Sequence, residues 1–493
     1  MTRRRAILDC YTDEPAGLGV PPFVGVWPRY VAGQYGEEPT YLTIDDVRLI
    51  RYVDCVRNVV IDPPVGRTHI EVLNHTRDVE ASRELLRNID ELVIIVGVQT
   101  PGKYLSARPG TLREVSKLLA EFNVPKTLTG PVLAGGTQFR GGALPQLPQS
   151  DEFERLEPFT FESYDALQPY ALKGTGLISQ MSRTGSRIVE LETGRGCPRE
   201  TGCSFCTEPI KHSVQWRSAE HIIEEAERLR ELGAEAFRLG KQSCIYSYAG
   251  GAPERIEALL SGLAALRPAV LHLDNANPTM VTEKRTELFV KYLTPGSTAA
   301  MGIESFDPEV AQANNLNCAY DQAFEAIRIV NRVGGHRGDN GCHALLPGVN
   351  ILLGLAGETP DTLDRNFAAL KRLVDEGLLI RRLNIRRVVP FPGTALHEQA
   401  GQKYLRQNRR YYAAWINRVR EEIDMPMLER LFPVGTLLRD LYSEVHNGNI
   451  TFLRQVGSYP IVVGVGERLA LNERFDVRVT GYKRRSLTGE RVR

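Results

Sequence analysis

The sequence predicts an α/β protein of more than one domain, on three observations. Between residues 186 and 395, six strand-like runs alternate with amphipathic helical stretches, a repeat that makes a barrel or an open parallel sheet. Before residue 150, continuous apolar runs alternate with helical spacing, as in a small α/β layer domain. At 493 residues the chain is also too long for one ordinary core.

Composition narrows the class. An apolar share of 42% and a charged share of 25% are those of a soluble globular chain. A net charge of +1 excludes a strong global field, so nucleic-acid binding would need a local patch. No run is long and apolar enough to span a membrane, and the start "MTRRRAILDC" lacks a signal-peptide core. Eight cysteines without an export signal imply a reducing cytoplasm and a metal site, not a disulfide frame.

The elements follow in order. In residues 1–150, "RAILDC", "ELVIIVGV" and "NVPKTLTG" read as strands; "DDVRLIRYVDCV", "ASRELLRNI" and "TLREVSKLLAEF" read as helices. Residues 151–185 follow as a linker, at the Gly-, Pro- and charge-rich "GGALPQLPQSDEFERLEPF". In residues 186–395 the strands are "RIVELETG", "AFRLG", "VLHLDNAN", "AAMGIES", "VNILLGLAG" and "RRLNIRRVV". Two intervening helices run into Gly233 and Gly334, expected C-terminal stops. Residues 396–493 hold a basic, aromatic helical stretch and then strand-like alternation, a small β appendage.

In parallel β/α folds the functional groups sit on loops after the strand C-termini, and every polar or glycine-rich oddity of residues 186–395 falls there. The first strand leads into "ETGRGCPRETGCSFCTEP", which puts Cys197, Cys203 and Cys206 on one loop. "GKQSC", "DNAN", "GIES", "GLAGET" and "PFPGT" end or follow the next five. Three thiolates can hold a metal centre while leaving one coordination position open. Glycines 194, 196 and 202 let the loop wrap a bulky core, and Phe205 is placed to shield it. The competing reading is structural zinc in a Cys3His set with His212.

The cysteine loop with "GIES", "GLAGET" and "PFPGT" resembles the radical S-adenosylmethionine (radical SAM) superfamily over most of residues 186–395. The cysteine spacing, five residues then two, departs from the commonest three then two. "YTDEPAGLGVPPF", "GCSFCTEP", "FRLGKQ", "LHLDNANP" and "LPGVNILLGLAGET" are similar to an uncharacterised archaeal group of radical SAM Fe–S proteins, many with a C-terminal helix-hairpin-helix motif. The chain ends at "SLTGERVR" without that hairpin signature, so its DNA-binding implication is not carried over.

The resemblance implies a partial (βα)6 TIM-like radical SAM barrel, an N-terminal Rossmann-like α/β domain and a small C-terminal α+β appendage. It implies a [4Fe–4S] cluster on Cys197, Cys203 and Cys206, S-adenosylmethionine on its open iron, and an external one-electron reductant. It assigns the methionine amine to the turn at Gly240 and Gln242, where "GKQ" replaces the familiar Gly-Gly-Glu. Gly302, Glu304 and Ser305 would meet the ribose or methionyl end, and the backbone around Gly354 and Gly357 the adenine. Glu358 reads equally as a helix N-terminal charge.

His272, Asp274 and Asn277, with Arg382, Asn384 and Arg386 on one strand face, are candidates for substrate contact or for a structural Asp–Arg network. Arg195 is placed to pair with a cofactor carboxylate or with Glu192. Cys244, Cys318 and Cys342 allow a second cluster in principle, but their wide, irregular separations favour buried or incidental thiols. Cobalamin is the other cofactor considered, but "DCYTDEP" lacks the Asp-x-His-x-x-Gly signature. Residues 403–420 interleave Lys403, Arg406, Arg409, Arg410, Arg418 and Arg420 with Tyr411, Tyr412 and Trp415, which suits RNA or a solvated helix packing its rings inward. The function expected is a radical SAM enzyme, with RNA modification as one outcome. The alternatives are a cobalamin-assisted methylase of a small molecule and a zinc-stabilised nucleic-acid-binding protein.

Overall fold

A computed structural model describes residues 3–11, 23–51, 75–98, 109–137, 143–149, 152–181 and 188–492. Most of "YTDEPAGLGVPPF", the second half of "DDVRLIRYVDCV" with Cys55, and residues 182–187 lie outside the described residues. The chain forms two compact units, one of residues 1–191 with 220–236 and the other of residues 192–219 with 237–493.

The first unit is built on a parallel sheet of β1 (Arg5–Asp9), β3 (Thr40–Thr43), β4 (Glu91–Ile95), β5 (Lys126–Thr129) and β6 (Arg155–Leu156), in the order β3-β1-β4-β5-β6. β1 and β4 are buried almost throughout, as their unbroken apolar runs require. A doubly wound order of this kind reverses direction between β1 and β4. The two-residue β2 (Phe23–Val24) pairs in parallel with β7 (Ile188–Glu192). Arg29 is fully buried and meets Glu225 through Nε (3.1 Å) and Nη2 (2.9 Å).

The second unit contains the short β8 (Gly194–Arg195) and β9 (Gln215–Trp216), then β10 (Ala236–Gly240) beside β11 (Val270–Leu273). A parallel sheet follows: β12 (Asn275–Ala276), β13 (Ser297–Glu304), β14 (Leu345–Leu353) and β15 (Arg382–Arg387). The helices Pro253–Ala265, Glu283–Tyr292, Tyr320–Gly334 and Pro360–Asp375 alternate with these strands. Gly334 ends inside its helix; the cap is Gly335.

The two faces of this sheet differ in chemistry. Met301, Ile303, Val349, Ile351, Leu353 and Leu383 are buried on the outer face. On the other face, Gly302, Asn350, Leu352, Asn384 and Arg386 are half-exposed. Period-two alternation thus separates core from chamber along the same strands.

After the helix Lys403–Val419, a closed five-stranded barrel is formed by β16 (Leu437–Asn447), β17 (Ile450–Arg454), β18 (Val462–Val465), β19 (Arg474–Tyr482) and β20 (Leu487–Arg491). Its order is β16-β17-β18-β20-β19, closed by β19 on β16, with only β18 and β20 parallel. That is the strand order of an OB-type barrel.

Candidate active site

The cysteine loop hangs from a ladder. β8 and β9 pair antiparallel (Gly194 with Trp216, Arg195 with Gln215), and Arg195 Nη2 donates to Gln215 Oε1 at 2.8 Å. Inside the loop, Gly196 N–H donates to Glu208 Oε1 (2.8 Å) and Ser243 Oγ donates to the Gly196 carbonyl (2.9 Å). Gly196 has φ +84°, and a Cβ there would fall 2.6 Å from the Ser213 carbonyl oxygen, so no other residue fits. Cys206 N–H donates to the Cys203 carbonyl (3.0 Å), and Cys197, Cys203 and Cys206 are all half-exposed.

Two asparagines absent from the sequence-level candidates hold this loop. Asn314 is fully buried; its carbonyl accepts Ser204 N–H (2.9 Å), and its Oδ1 accepts Ser204 Oγ–H (2.7 Å). The same amide binds Ala356 both ways, Nδ2 to its carbonyl (2.8 Å) and Oδ1 from its N–H (3.1 Å). One side chain therefore ties the cysteine loop to the "GLAGET" loop. Asn315 Nδ2 donates to the carbonyls of Thr201 and Gly202, and Arg199 Nη1 bridges the Asn315 carbonyl (2.9 Å) and Cys203 Sγ (3.2 Å).

Burial pushes the Cys203 thiol up to about 11, with Arg199 opposing and Glu304 and Cys197 adding; burial likewise pushes Cys206 up to about 12. Metal coordination replaces the thiol proton and removes that penalty. Three soft donors on one braced loop, one of them facing a guanidinium, suit an iron–sulfur core. Among the described residues, no group of three or more His, Cys, Asp or Glu side chains is arranged to hold a single metal ion.

Gln242 follows β10 and is buried, and neither amide atom has a hydrogen-bond partner among the described residues. A buried amide normally fills both positions, so this one keeps a free donor and a free acceptor among the described residues. At the end of β13, Glu304 has φ +64°, a conformation that costs energy for a residue with a side chain. Its carboxyl is pushed up to about 8 by burial, with Arg386 opposing, and lies over Gly302. Ser305 Oγ donates to Asn366 Oδ1 (3.3 Å) and accepts Asp307 N–H (3.2 Å), holding the turn.

Glu358 Oε2 accepts the Gly354 N–H (2.8 Å), Oε1 accepts the Tyr412 hydroxyl, and Thr359 caps the following helix. Glu358 is thus a brace for the glycine loop. Gly357 lies on the exposed part of that loop and Phe205 is half-exposed beside the last cysteine.

Of the substrate candidates, Asn277 caps a short turn and donates to Asn317 Oδ1 (2.8 Å). His272 and Asp274 are buried, and Arg238 Nη2 forms an ion pair with Asp274 Oδ1 at 2.6 Å. Cys244, Cys318 and Cys342 are buried. In the helix Lys403–Val419, Tyr412 and Trp415 are buried, and Trp415 Nε1 donates to the Leu363 carbonyl at 2.7 Å. Lys403, Arg406, Arg409, Arg410 and Arg418 stay exposed. No helix among the described residues is long and apolar enough to cross a membrane.

A family model described as the radical SAM superfamily matches residues 191–378. An uncharacterised protein of Methanocaldococcus jannaschii is 38% identical over 542 residues, spanning 100% of this chain and 94% of that one. One from Archaeoglobus fulgidus is 36% identical, spanning 98% and 89%. Among solved structures, the radical S-adenosylmethionine methyltransferase TsrM of Kitasatospora setae, with cobalamin and a [4Fe–4S] cluster bound, matches at TM-score 0.49 and 14% identity, over 80% of this chain and 74% of that one. The cobalamin-dependent S-adenosylmethionine radical enzyme OxsB matches at TM-score 0.44 and 11% identity, over 84% and 56%.

Proposed function

This chain belongs to the radical SAM superfamily, and from that premise we propose which of its residues carry the reaction. It is an enzyme that works with a [4Fe–4S] cluster, S-adenosylmethionine and an external reductant. When bound, the cluster supplies the electron that splits the sulfonium into methionine and a 5′-deoxyadenosyl radical.

Cys197, Cys203 and Cys206 hold the cluster, and Asn314, Asn315 and Arg199 fix the loop that presents them. Gln242 accepts the methionine amine through Oε1, its Nε2 staying available to a carboxylate. Glu304 and the open backbone at Gly240 and Gly302 line the methionyl and ribose end, with Ser305 holding their turn. The Gly354–Gly357 backbone, braced by Glu358, lies against adenine, and Phe205 limits water at the cluster. The observation that carries this reading is the cysteine loop itself: three half-exposed thiols on a segment tied at its neck and, through Asn314, to a second strand-end loop.

The test is iron and acid-labile sulfide per chain after anaerobic reconstitution. Four of each in the wild type and loss of both in Cys203→Ala support the assignment; an unchanged iron content in the variant sinks it.

The non-enzymatic zinc reading is overturned by the family match. A second reading, a cobalamin-assisted methylase of a small molecule, draws on the doubly wound sheet of the first unit, whose reversal between β1 and β4 makes a cofactor crevice. Corrinoid retained after reconstitution with cobalamin supports it; none retained removes it. For RNA, the OB-type barrel order and the exposed cations of the helix Lys403–Val419 are the supporting features. Salt-dependent tRNA retention that survives Arg409→Ala/Arg410→Ala would take that helix out of the reading. An oxygen-labile cluster suits a reducing cytoplasm, where we place the reaction.

A further inference from the structure

The inner face of β13–β15 carries small and charged side chains beyond the residues proposed above for the cofactors. Parallel register sets Ala300, Gly348 and Arg382 in one row, and Gly302, Asn350 and Asn384 in the next. Ala300, Gly302 and Gly348 carry nothing beyond Cβ, so the side chains beside Arg382 and Asn384 on this face are small. The second row is half-exposed, so this face is accessible beside Asn384.

Its floor comes from the appended barrel. The β17–β18 loop, residues 455–461, reaches under β11: Ser458 N–H donates to His272 Nδ1 (3.0 Å), and Tyr459 O–H donates to Asp274 Oδ1 (3.2 Å). Gly457 sits against the imidazole, where a Cβ would lie 2.4 Å from His272 Cε1, and its φ of +151° is one that side chains avoid. The Tyr459 ring stacks under Arg382, 4.8 Å from guanidinium carbon to ring centroid.

This floor is polar and incompletely paired. Arg382 Nε, Asp274 Oδ2 and Ser458 Oγ are buried without a hydrogen-bond partner among the described residues. Asp274 already answers Arg238 through Oδ1. Burial pushes the Arg382 guanidinium down to about 10, with Arg485, Arg386 and Arg381 adding to the effect and Tyr459 opposing it. Cations outnumber carboxylates here: Asp424, paired with Arg420, also feels Arg485 and Arg382, and a further anion would relieve both the burial and the repulsion.

We infer that this chamber binds a small substrate carrying an anionic group, carboxylate or phosphate, seated on Arg382, and a neighbouring N–H or O–H donor accepted by Asp274 Oδ2. The Tyr459 loop is its floor, so the C-terminal barrel takes part in substrate selection. The inference deepens the enzyme reading above and rests on it.

The test uses reconstituted full-length protein with saturating S-adenosylmethionine, so that the cofactor's own carboxylate is accounted for. Saturation-transfer NMR is run with four probes: acetate, methyl phosphate, L-alanine and ethylamine. Transfer to L-alanine and to acetate or methyl phosphate, with none to ethylamine, is expected; the stronger of acetate and methyl phosphate identifies the anion. Arg382→Gln weakens anion binding about tenfold or more, the scale of one charge-assisted hydrogen bond, and Arg382→Lys restores part of it. Asp274→Asn weakens L-alanine relative to acetate. Circular dichroism and iron content confirm that the variants fold. No transfer to any anionic probe, or equal transfer in Arg382→Gln, overturns the inference. Wild-type 5′-deoxyadenosine formation separates the two failures: product without anion binding sinks the chamber alone, and anion binding without product sinks the cluster reading.

Discussion

Arg48 and Arg382 are the same side chain in opposite settings. Arg48, in the first unit, is fully buried and answered on every side: Nη1 meets Asp45 Oδ1 at 2.6 Å, and Nε and Nη2 meet Glu114 at 2.8 and 2.9 Å. Against the cost of burial, Glu114 and Asp45 raise its pKa. Arg382, in the second unit, has a buried Nε with no partner among the described residues, and burial among other arginines lowers its pKa. Arg382 is half-exposed as a whole, and a buried guanidinium nitrogen is what the two share. Satisfaction distinguishes a structural network from a site waiting for a ligand.

The sharpest way to break this contrast is to remove each guanidinium in turn. Arg48→Met leaves Asp45 and Glu114 buried without their cation and should lower unfolding free energy by about 3–5 kcal/mol in chemical denaturation. Arg382→Met, which relieves a crowded charge, should change it by about 1 kcal/mol or less and in either direction. Equal losses would mean that both arginines are structural.

A smaller effect tests the floor of the chamber through pH. Burial lowers His272 to about 3, so the folded protein holds it neutral where the unfolded chain, with a pKa near 6.5, takes up a proton. The unfolded state then binds more protons between these values, and the contribution of His272 to stability is full above pH 6.5 and lost as pH falls toward 3. His272→Asn keeps an acceptor for the Ser458 N–H and should flatten that acid slope in denaturation measured from pH 7 to 4. An unchanged slope would place His272 in contact with water.

A comparably small change is expected of Tyr459→Phe. It removes the hydroxyl donated to Asp274 and should cost about 1 kcal/mol, while the ring still lies under Arg382. A loss several times larger would make the Tyr459–Asp274 contact a main support of the unit.

Much of this architecture is legible in the sequence because it is local. Unbroken apolar runs such as "ELVIIVGV" announce buried parallel strands, and the cysteine loop stands out by composition alone. Thr40–Thr43 escaped such a reading because four residues carry too little pattern, although they form the edge strand that pairs with β1. Asn314 and Asn315 gave no signal, since their work is done across more than a hundred residues of chain, on Ser204, Thr201 and Gly202. The same holds for Ser458 and Tyr459, which act on His272 and Asp274 from another subdomain of the unit. In the helix Lys403–Val419, composition alone left RNA contact and packing open; burial shows that Tyr412 and Trp415 pack while the cations face out.

The central claim is that the three-cysteine loop and the loops around it form one reactive centre for S-adenosylmethionine. Anaerobic incubation of the reconstituted protein with S-adenosylmethionine and dithionite tests it most directly. The wild type should give 5′-deoxyadenosine and methionine in equal amounts, and Cys203→Ala neither. Equal yields from the two proteins, or no 5′-deoxyadenosine from an iron-loaded wild type, would contradict it.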